Sequence, residues 1–237
     1  MTVCRLDKFI SSQLNLPRSV CRKLIARGAV TVNGAVLKKP EEKITAETDE
    51  VAVGGEAIRY QKHVYIMMNK PKGVLSASTD KTRKTVVDLV PPALFRRTLF
   101  PVGRLDRDTT GLLILTDDGD FAHYVISPKS HLKKRYRVLL DAPADASAVK
   151  AFRDGITLAD GTKCMPAELE ISQENPYLVF ATIYEGKYHQ IKRMFGTLGL
   201  GVDELHRVSI GEVSLDENLR EGDCRAMKND EISLIYK

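Results

Sequence analysis

Gly103-Arg104-Leu105-Asp106-Arg107-Asp108-Thr109-Thr110-Gly111-Leu112-Leu113-Ile114 sets a charged loop directly against an apolar run. Arg104 and Arg107 bracket one carboxylate, Asp106, between two permanent cations, which favours its ionised form and draws a polyanion towards it. The run that follows, Leu112 to Thr116, reads as a buried strand closed by Asp117-Asp118-Gly119. Asp106, Asp108, Thr110, Gly111 and Asp117 also fall on five positions of a calcium-loop template. That template needs a flanking helix on each side and a final glutamate. Here Pro101 precedes the loop, a strand-like run lies inside it and the last residue is aspartate, so calcium is set aside.

Outward from this loop the pattern is strand-rich with inserted helices. Val64 to Met68 is a strand leading into the turn Asn69-Lys70-Pro71-Lys72-Gly73, which is expected beside the loop. Leu132, Lys134, Tyr136, Val138 and Leu140 alternate with Lys133, Arg135, Arg137 and Leu139 in period two, turning Tyr136 inward. A helix starts after an Asp145 cap and stops at Gly155, and Tyr177 to Tyr184 is another strand. Between Tyr188 and Leu198, Ile191, Met194, Phe195 and Leu198 take helical spacing and leave His189, Lys192 and Arg193 on the opposite side. The expected class is α+β, with flanking helices on a mixed, mainly antiparallel sheet.

The first third of the chain reads as a separate small module. Leu6, Phe9, Ile10 and Leu14 share one face of a short helix. Pro17 suits the first turn of a second helix, in which Val20, Leu24 and Ile25 face inward and Arg18, Arg22, Lys23 and Arg27 form a basic outer face. Val30 to Val36 is a hairpin turning at Asn33-Gly34 and ending near Lys38-Lys39, and a further strand runs near Glu50 to Val53. The expected division is 1–56 for the module, 57–62 for a linker and 63–237 for the α+β domain.

Net charge is +5, but it is strongly polarised along the chain. Residues 1–40 carry eight Lys/Arg against one acid and 62–137 carry fifteen against seven, whereas 138–237 carry eleven against seventeen. Two basic surfaces follow, the footprint of a protein that binds phosphates. The four cysteines, Cys4, Cys21, Cys164 and Cys224, form no CxxC pair, which argues against a zinc site or a disulfide framework. The N-terminus lacks the apolar stretch of a signal peptide, and no run approaches the ~20 apolar residues of a membrane span. A cytoplasmic protein, acting as a monomer away from membranes, is the expectation.

The loop at Asp106 resembles the catalytic loop of the RNA pseudouridine synthases, in the RsuA-like branch, where the aspartate of Gly-Arg-Leu-Asp is the nucleophile. Lys133-Lys134-Arg135-Tyr136 resembles the family's lysine and tyrosine motif, whose tyrosine stacks on the target base. Glu185-Gly186-Lys187-Tyr188-His189-Gln190-Ile191-Lys192-Arg193-Met194-Phe195 resembles its third motif, in which Lys192 takes the place of the aspartate's basic partner. The N-terminal helix pair and hairpin resemble the αL RNA-binding module first recognised in a ribosomal protein. The resemblance implies an isomerase that converts a uridine of 16S ribosomal RNA, in an assembling small subunit, to pseudouridine. Asp106, Tyr136 and Lys192 would be catalytic. Arg104, Arg107, Arg18, Arg22, Lys23, Arg27, Lys38 and Lys39 would contact RNA.

Breaking the bond from C1′ to the uracil nitrogen and joining C5 to the same carbon leaves nothing oxidised or reduced, so neither a metal nor an organic cofactor is expected. Three other readings remain open on the residues: a synthase acting on 23S RNA, a catalytically idle assembly factor, and a glycosidase releasing free base. The idle factor has no need of Asp106, Tyr136 and Lys192 together. A glycosidase normally needs a second carboxylate, for which Asp108 is the local candidate.

Overall fold

Asn33 and Gly34 hold φ values of 51° and 80°, the left-handed pair that a two-residue hairpin needs and that Asn-Gly adopts at low cost. In the computed structural model, which describes residues 1–237, this turn belongs to the first of two units. One comprises Met1–Val64 with Phe95–Thr98, the other Tyr65–Leu94 with Leu99–Lys237.

The first unit runs β1 (Val3–Arg5), α1 (Leu6–Leu14), α2 (Arg18–Ala26), β2 (Val30–Val32), β3 (Ala35–Val36), β4 (Lys43–Thr45), β5 (Val51–Val53) and β6 (Glu56–Ala57). Strands β3, β2, β5 and β6 make one antiparallel sheet, and β1 pairs with β4. Leu6, Phe9 and Ile10 of α1 pack on Cys21 and Ile25 of α2 and on Val30 and Val51. Val20, expected inward, is 39% exposed. Ile25 is buried as expected, and the helix phase puts Cys21, four residues before it, on the buried face in place of Val20. Residues 57–62, expected as a linker, lie against this unit: the Ile58 amide donates to the Val51 carbonyl (2.8 Å), and the Tyr60 ring stacks 5.8 Å from Phe9.

One carboxylate organises the basic face. Asp7, fully buried in the first turn of α1, accepts hydrogen bonds from Arg5 Nε (3.1 Å), Arg18 Nη2 (2.9 Å) and Arg22 Nε (3.0 Å). Burial alone would raise its carboxyl pKa, but the bonds from Arg5, Arg22 and Arg18 outweigh that and hold it well below the ordinary carboxylate range.

The second unit runs β7 (Tyr65–Lys70), β8 (Phe100–Pro101), β9 (Thr110–Thr116), α3 (Gly119–Ile126), β10 (Lys134–Leu140), α4 (Ala146–Asp154), β11 (Glu168–Ile171), β12 (Leu178–Ile183), α5 (Gln190–Thr197), β13 (Val202–Ile210), β14 (Val213–Ser214), β15 (Cys224–Ala226) and α6 (Asn229–Leu234). Its sheet has the order β11-β12-β10-β13-β9-β7-β15, with β8 and β14 as side additions. All pairings are antiparallel except β13 with β9. The sheet is thus mixed and mainly antiparallel, and the fold class is α+β. The Asp145 carboxylate caps α4 by accepting from the Ser147 and Ala148 amides.

The parallel contact fixes the loop that precedes β9. Gly111, at φ 99°, sits opposite Arg207, and a Cβ there would lie 2.4 Å from the Arg207 carbonyl oxygen. No side chain fits, so glycine lets β9 and β13 approach each other. The Asp106 loop therefore emerges from the sheet at a set position.

Candidate active site

The loop between β8 and β9 is tied down from below by a lysine that the sequence presents as part of a turn. Lys70, fully buried at the end of β7, donates from Nζ to the carbonyls of Thr109 (2.9 Å), Pro71 (3.1 Å) and Arg107 (3.3 Å). Burial pulls its ammonium down to about 8, against the opposing pull of Asp108, Asp106 and Glu221. The Ser76 hydroxyl adds a bond to the Leu105 carbonyl at 2.8 Å. With its backbone held at Leu105, Arg107 and Thr109, the loop presents Asp106 as a partly exposed carboxylate.

Asp106 and Tyr136 line one cleft of about 440 Å³ together with Arg104, Thr109, Lys187 and His189. Loop, strand β10 and the turn before α5 thus converge from distant parts of the chain. Tyr136 is 7% exposed and inward-facing as its alternation required. Thr109 is 1% exposed, and its hydroxyl has no hydrogen-bond partner.

The turn before α5 is rigid for local reasons. Glu185, 7% exposed, accepts from the Met165 amide (2.9 Å), from Gln190 Nε2 (2.9 Å) and from the Lys187 ammonium. Gln190 Oε1 in turn accepts from the Lys187 amide at 2.9 Å. His189, in the left-handed region at φ 46°, then points its Nε2 to within 3.3 Å of Asp106 Oδ1.

Three cations of this segment have three different partners: Lys187 pairs with Glu185, Arg193 with Asp160 at 2.5 Å, and Lys192 with Asp108 at 2.5 Å. Lys192 is the one that reaches the Asp106 loop, but it meets the carboxylate two residues beyond the one expected. Its hydrogen bond holds the Asp108 carboxyl below the usual range. The ion pair expected between Lys192 and Asp106 is thus replaced by one between Lys192 and Asp108, while His189 Nε2 approaches Asp106.

The remaining sequence-derived contacts are spread over both units. Arg104 is exposed and lines the cleft, while Arg107 is exposed and donates from Nε to the Gly73 carbonyl at 3.3 Å. In the first unit Arg18, Arg22, Lys23, Arg27, Lys38 and Lys39 are all exposed, with Arg18 and Arg22 held by Asp7. His189, Lys70 and Asp7 carried no role in the sequence reading. Spacing gives no sign of which carboxylate a lysine or histidine will meet, and the motif that contains His189 was the one available signal.

Residues 64–197 match the pattern of the family described as RNA pseudouridylate synthase, and residues 4–51 match the S4 domain. The chain belongs to the RNA pseudouridylate synthase family. It is 42% identical over 234 residues to ribosomal small subunit pseudouridine synthase A of Vibrio cholerae, covering 98% of this chain and 100% of that one. To the uncharacterized RNA pseudouridine synthase YtzG of Bacillus subtilis it is 40% identical over 233 residues, 98% of each chain. A crystal structure of a pseudouridylate synthase superimposes with a TM-score of 0.69 at 40% identity, covering 98% and 99% of the two chains. As a pseudouridine synthase with an S4 domain at its N-terminus, the protein is an isomerase that binds and modifies RNA.

Proposed function

We propose that this synthase converts one uridine of 16S ribosomal RNA to pseudouridine and that Asp106 is the carboxylate that acts at the sugar. The observation that carries the reading is the cleft in which Asp106, Tyr136 and His189 meet, set within a chain whose full-length relatives include enzymes named for the small ribosomal subunit. Asp106 either adds to C1′ or removes a sugar proton. Both need a carboxylate held against the anomeric carbon, and the loop presents Asp106 partly exposed in the cleft. Tyr136 receives the flipped base, offsetting the few kcal/mol that unstacking costs. Lys192 keeps a positive charge against the loop, through Asp108 in the free protein. The freed base turns and rejoins the same carbon through C5, so the substrate balances itself and no cofactor enters.

The S4 domain and the loop arginines would hold the RNA by its phosphates and shape. An assembling small subunit in the cytoplasm is the proposed setting, with the protein acting as a monomer.

The test is a map of pseudouridines in ribosomal RNA from cells with and without the gene, paired with the purified protein on the corresponding transcript. One site in the small-subunit RNA should vanish in the cells and reappear in the tube. A missing site confined to large-subunit RNA would overturn the substrate while leaving the chemistry. Free uracil in place of pseudouridine would mean a glycosidase.

A further inference from the structure

Beside the catalytic cleft lies a second cavity, of about 480 Å³ with its mouth included, that shares Arg104, Tyr136 and Gly186 with the cleft. Two of its walls are buried cations. Arg207 on β13 is 4% exposed; its Nε donates to the Leu112 carbonyl at 2.7 Å, its guanidinium lies 6.0 Å from the Tyr136 ring centroid, and its Nη2 has no partner. Lys134 on β10 is 8% exposed and bonds through Nζ to the Leu132 carbonyl at 2.9 Å. Arg104 adds a third positive charge, and no carboxylate lines the cavity.

A buried charge without a counter-ion is costly, and a guanidinium with a free N–H is a strong donor to an oxyanion. The arrangement therefore wants an anion. Within a nucleotide that reaches Asp106, the base and the ribose are neutral, and the permanent negative charge sits on the phosphates. We infer that this cavity is a phosphate subsite, in which Arg207 and Lys134 hold a phosphate of the nucleotide whose base lies against Tyr136. The inference rests on the reading that the cleft receives an RNA nucleotide, and it adds a positioning role. Anchoring the phosphate would fix the sugar of that nucleotide against Asp106.

Binding of small nucleotides tests this without any turnover, so its outcome stands apart from that of the pseudouridine map. Uridine, uridine 3′-monophosphate and uridine 5′-monophosphate are titrated into the full-length protein and into Arg207→Gln and Lys134→Gln. One monophosphate should bind the unsubstituted protein about tenfold or more tighter than uridine, the size expected of one charge-assisted hydrogen bond. That advantage should disappear in both variants while uridine binds all three proteins alike, and the preferred isomer identifies which phosphate is held. Inorganic phosphate, added to the unsubstituted protein, should displace that monophosphate and leave uridine in place, a readout that does not depend on either variant folding. Equal binding of all three compounds, or phosphate that displaces neither, would overturn the subsite. So would uridine binding that falls as far as monophosphate binding in the variants, because the cavity would then hold the base.

Discussion

Lys192 Nζ lies 2.5 Å from Asp108 Oδ2, and the carboxylate proposed to do the chemistry, Asp106, is met instead by His189 Nε2 at 3.3 Å. The loop thus carries two acids with two different basic partners, and substitution separates their work. Asp106→Asn keeps the shape but removes the charge that must act on the sugar, so turnover should drop by ~10⁴-fold or more with RNA binding retained. Asp108→Asn should cost about tenfold or less, since its pair is largely exposed. Lys192→Met should cost more than ~100-fold in single-turnover rate. If Lys192→Met and Asp108→Asn are equally mild, the lysine serves the loop through Asp108 alone; if the two aspartates exchange effects, the nucleophile is misassigned.

Tyr136 can act through its face or through its hydroxyl. Phe keeps the face and Ala removes it, and stacking of a base is worth ~1–3 kcal/mol. Affinity for RNA and turnover should both be worse in Tyr136→Ala than in Tyr136→Phe. Equal inactivity of the two would assign the hydroxyl a proton-transfer or hydrogen-bonding role.

The Asp7 cluster gives the first unit a pH dependence of known sign. A carboxyl whose folded pKa is depressed adds stability that is present above its unfolded value of about 3.9 and lost as pH falls through the folded value. Chemical denaturation followed from pH 6 to pH 3 should show the first unit weakening at the acid end. Asp7→Asn should flatten that slope and lower stability at pH 7 by on the order of 2–3 kcal/mol, discounted because the arginines are half exposed. An unchanged acid slope in the variant would place the titration elsewhere.

Gly111 tests whether the sheet positions the Asp106 loop. Gly111→Ala drives a methyl into the Arg207 backbone and forces a positive φ on alanine, with an expected loss on the order of 3 kcal/mol or more. Urea denaturation measures it; a loss below about 1 kcal/mol would mean that β9 and β13 can part without consequence.

Arg27, Lys38 and Lys39 are exposed and away from the Asp7 cluster, so they report phosphate contact without disturbing the fold. Neutralising all three to Gln should reduce the dependence of log affinity on log salt by ~2, at about 0.7–0.9 per phosphate contact. A slope that does not move would remove the hairpin end and the last turn of α2 from the RNA surface.

Much of this arrangement was legible because local rules coincide with it. Asn33-Gly34 has few alternatives to its turn, the period-two pattern around Tyr136 fixes which way the ring points, and Asp145 caps its helix as its position indicates. The long strand β13 was not legible, because Asp203, Glu204, His206 and Arg207 break any apolar alternation. Its place inside the sheet is set by its ladders with β10 and β9, where Arg207 finds the Leu112 carbonyl, and both are tertiary events. Lys70 has the same character, since a lysine at a strand end reads as solvated until two carbonyls of a distant loop, those of Arg107 and Thr109, close over it with that of Pro71. Lys192 shows the limit most clearly: its motif indicates the loop it will meet, but two acids two residues apart there leave its partner to be set by the fold.

The grip of Asp7 on Arg18 and Arg22 has a consequence for association. A free arginine on a surface samples many rotamers, and immobilising such a rotamer-rich side chain costs ~0.5–1.5 kcal/mol on binding. Arg18 and Arg22 have given up much of that freedom already during folding, while each guanidinium retains N–H groups that Asp7 does not occupy. Two of the cations that face outward from the first unit would therefore meet an RNA ligand with much of their conformational entropy already lost. A weakened net charge is exchanged for a fixed geometry, the kind of surface suited to registering the spacing of phosphates rather than merely attracting them.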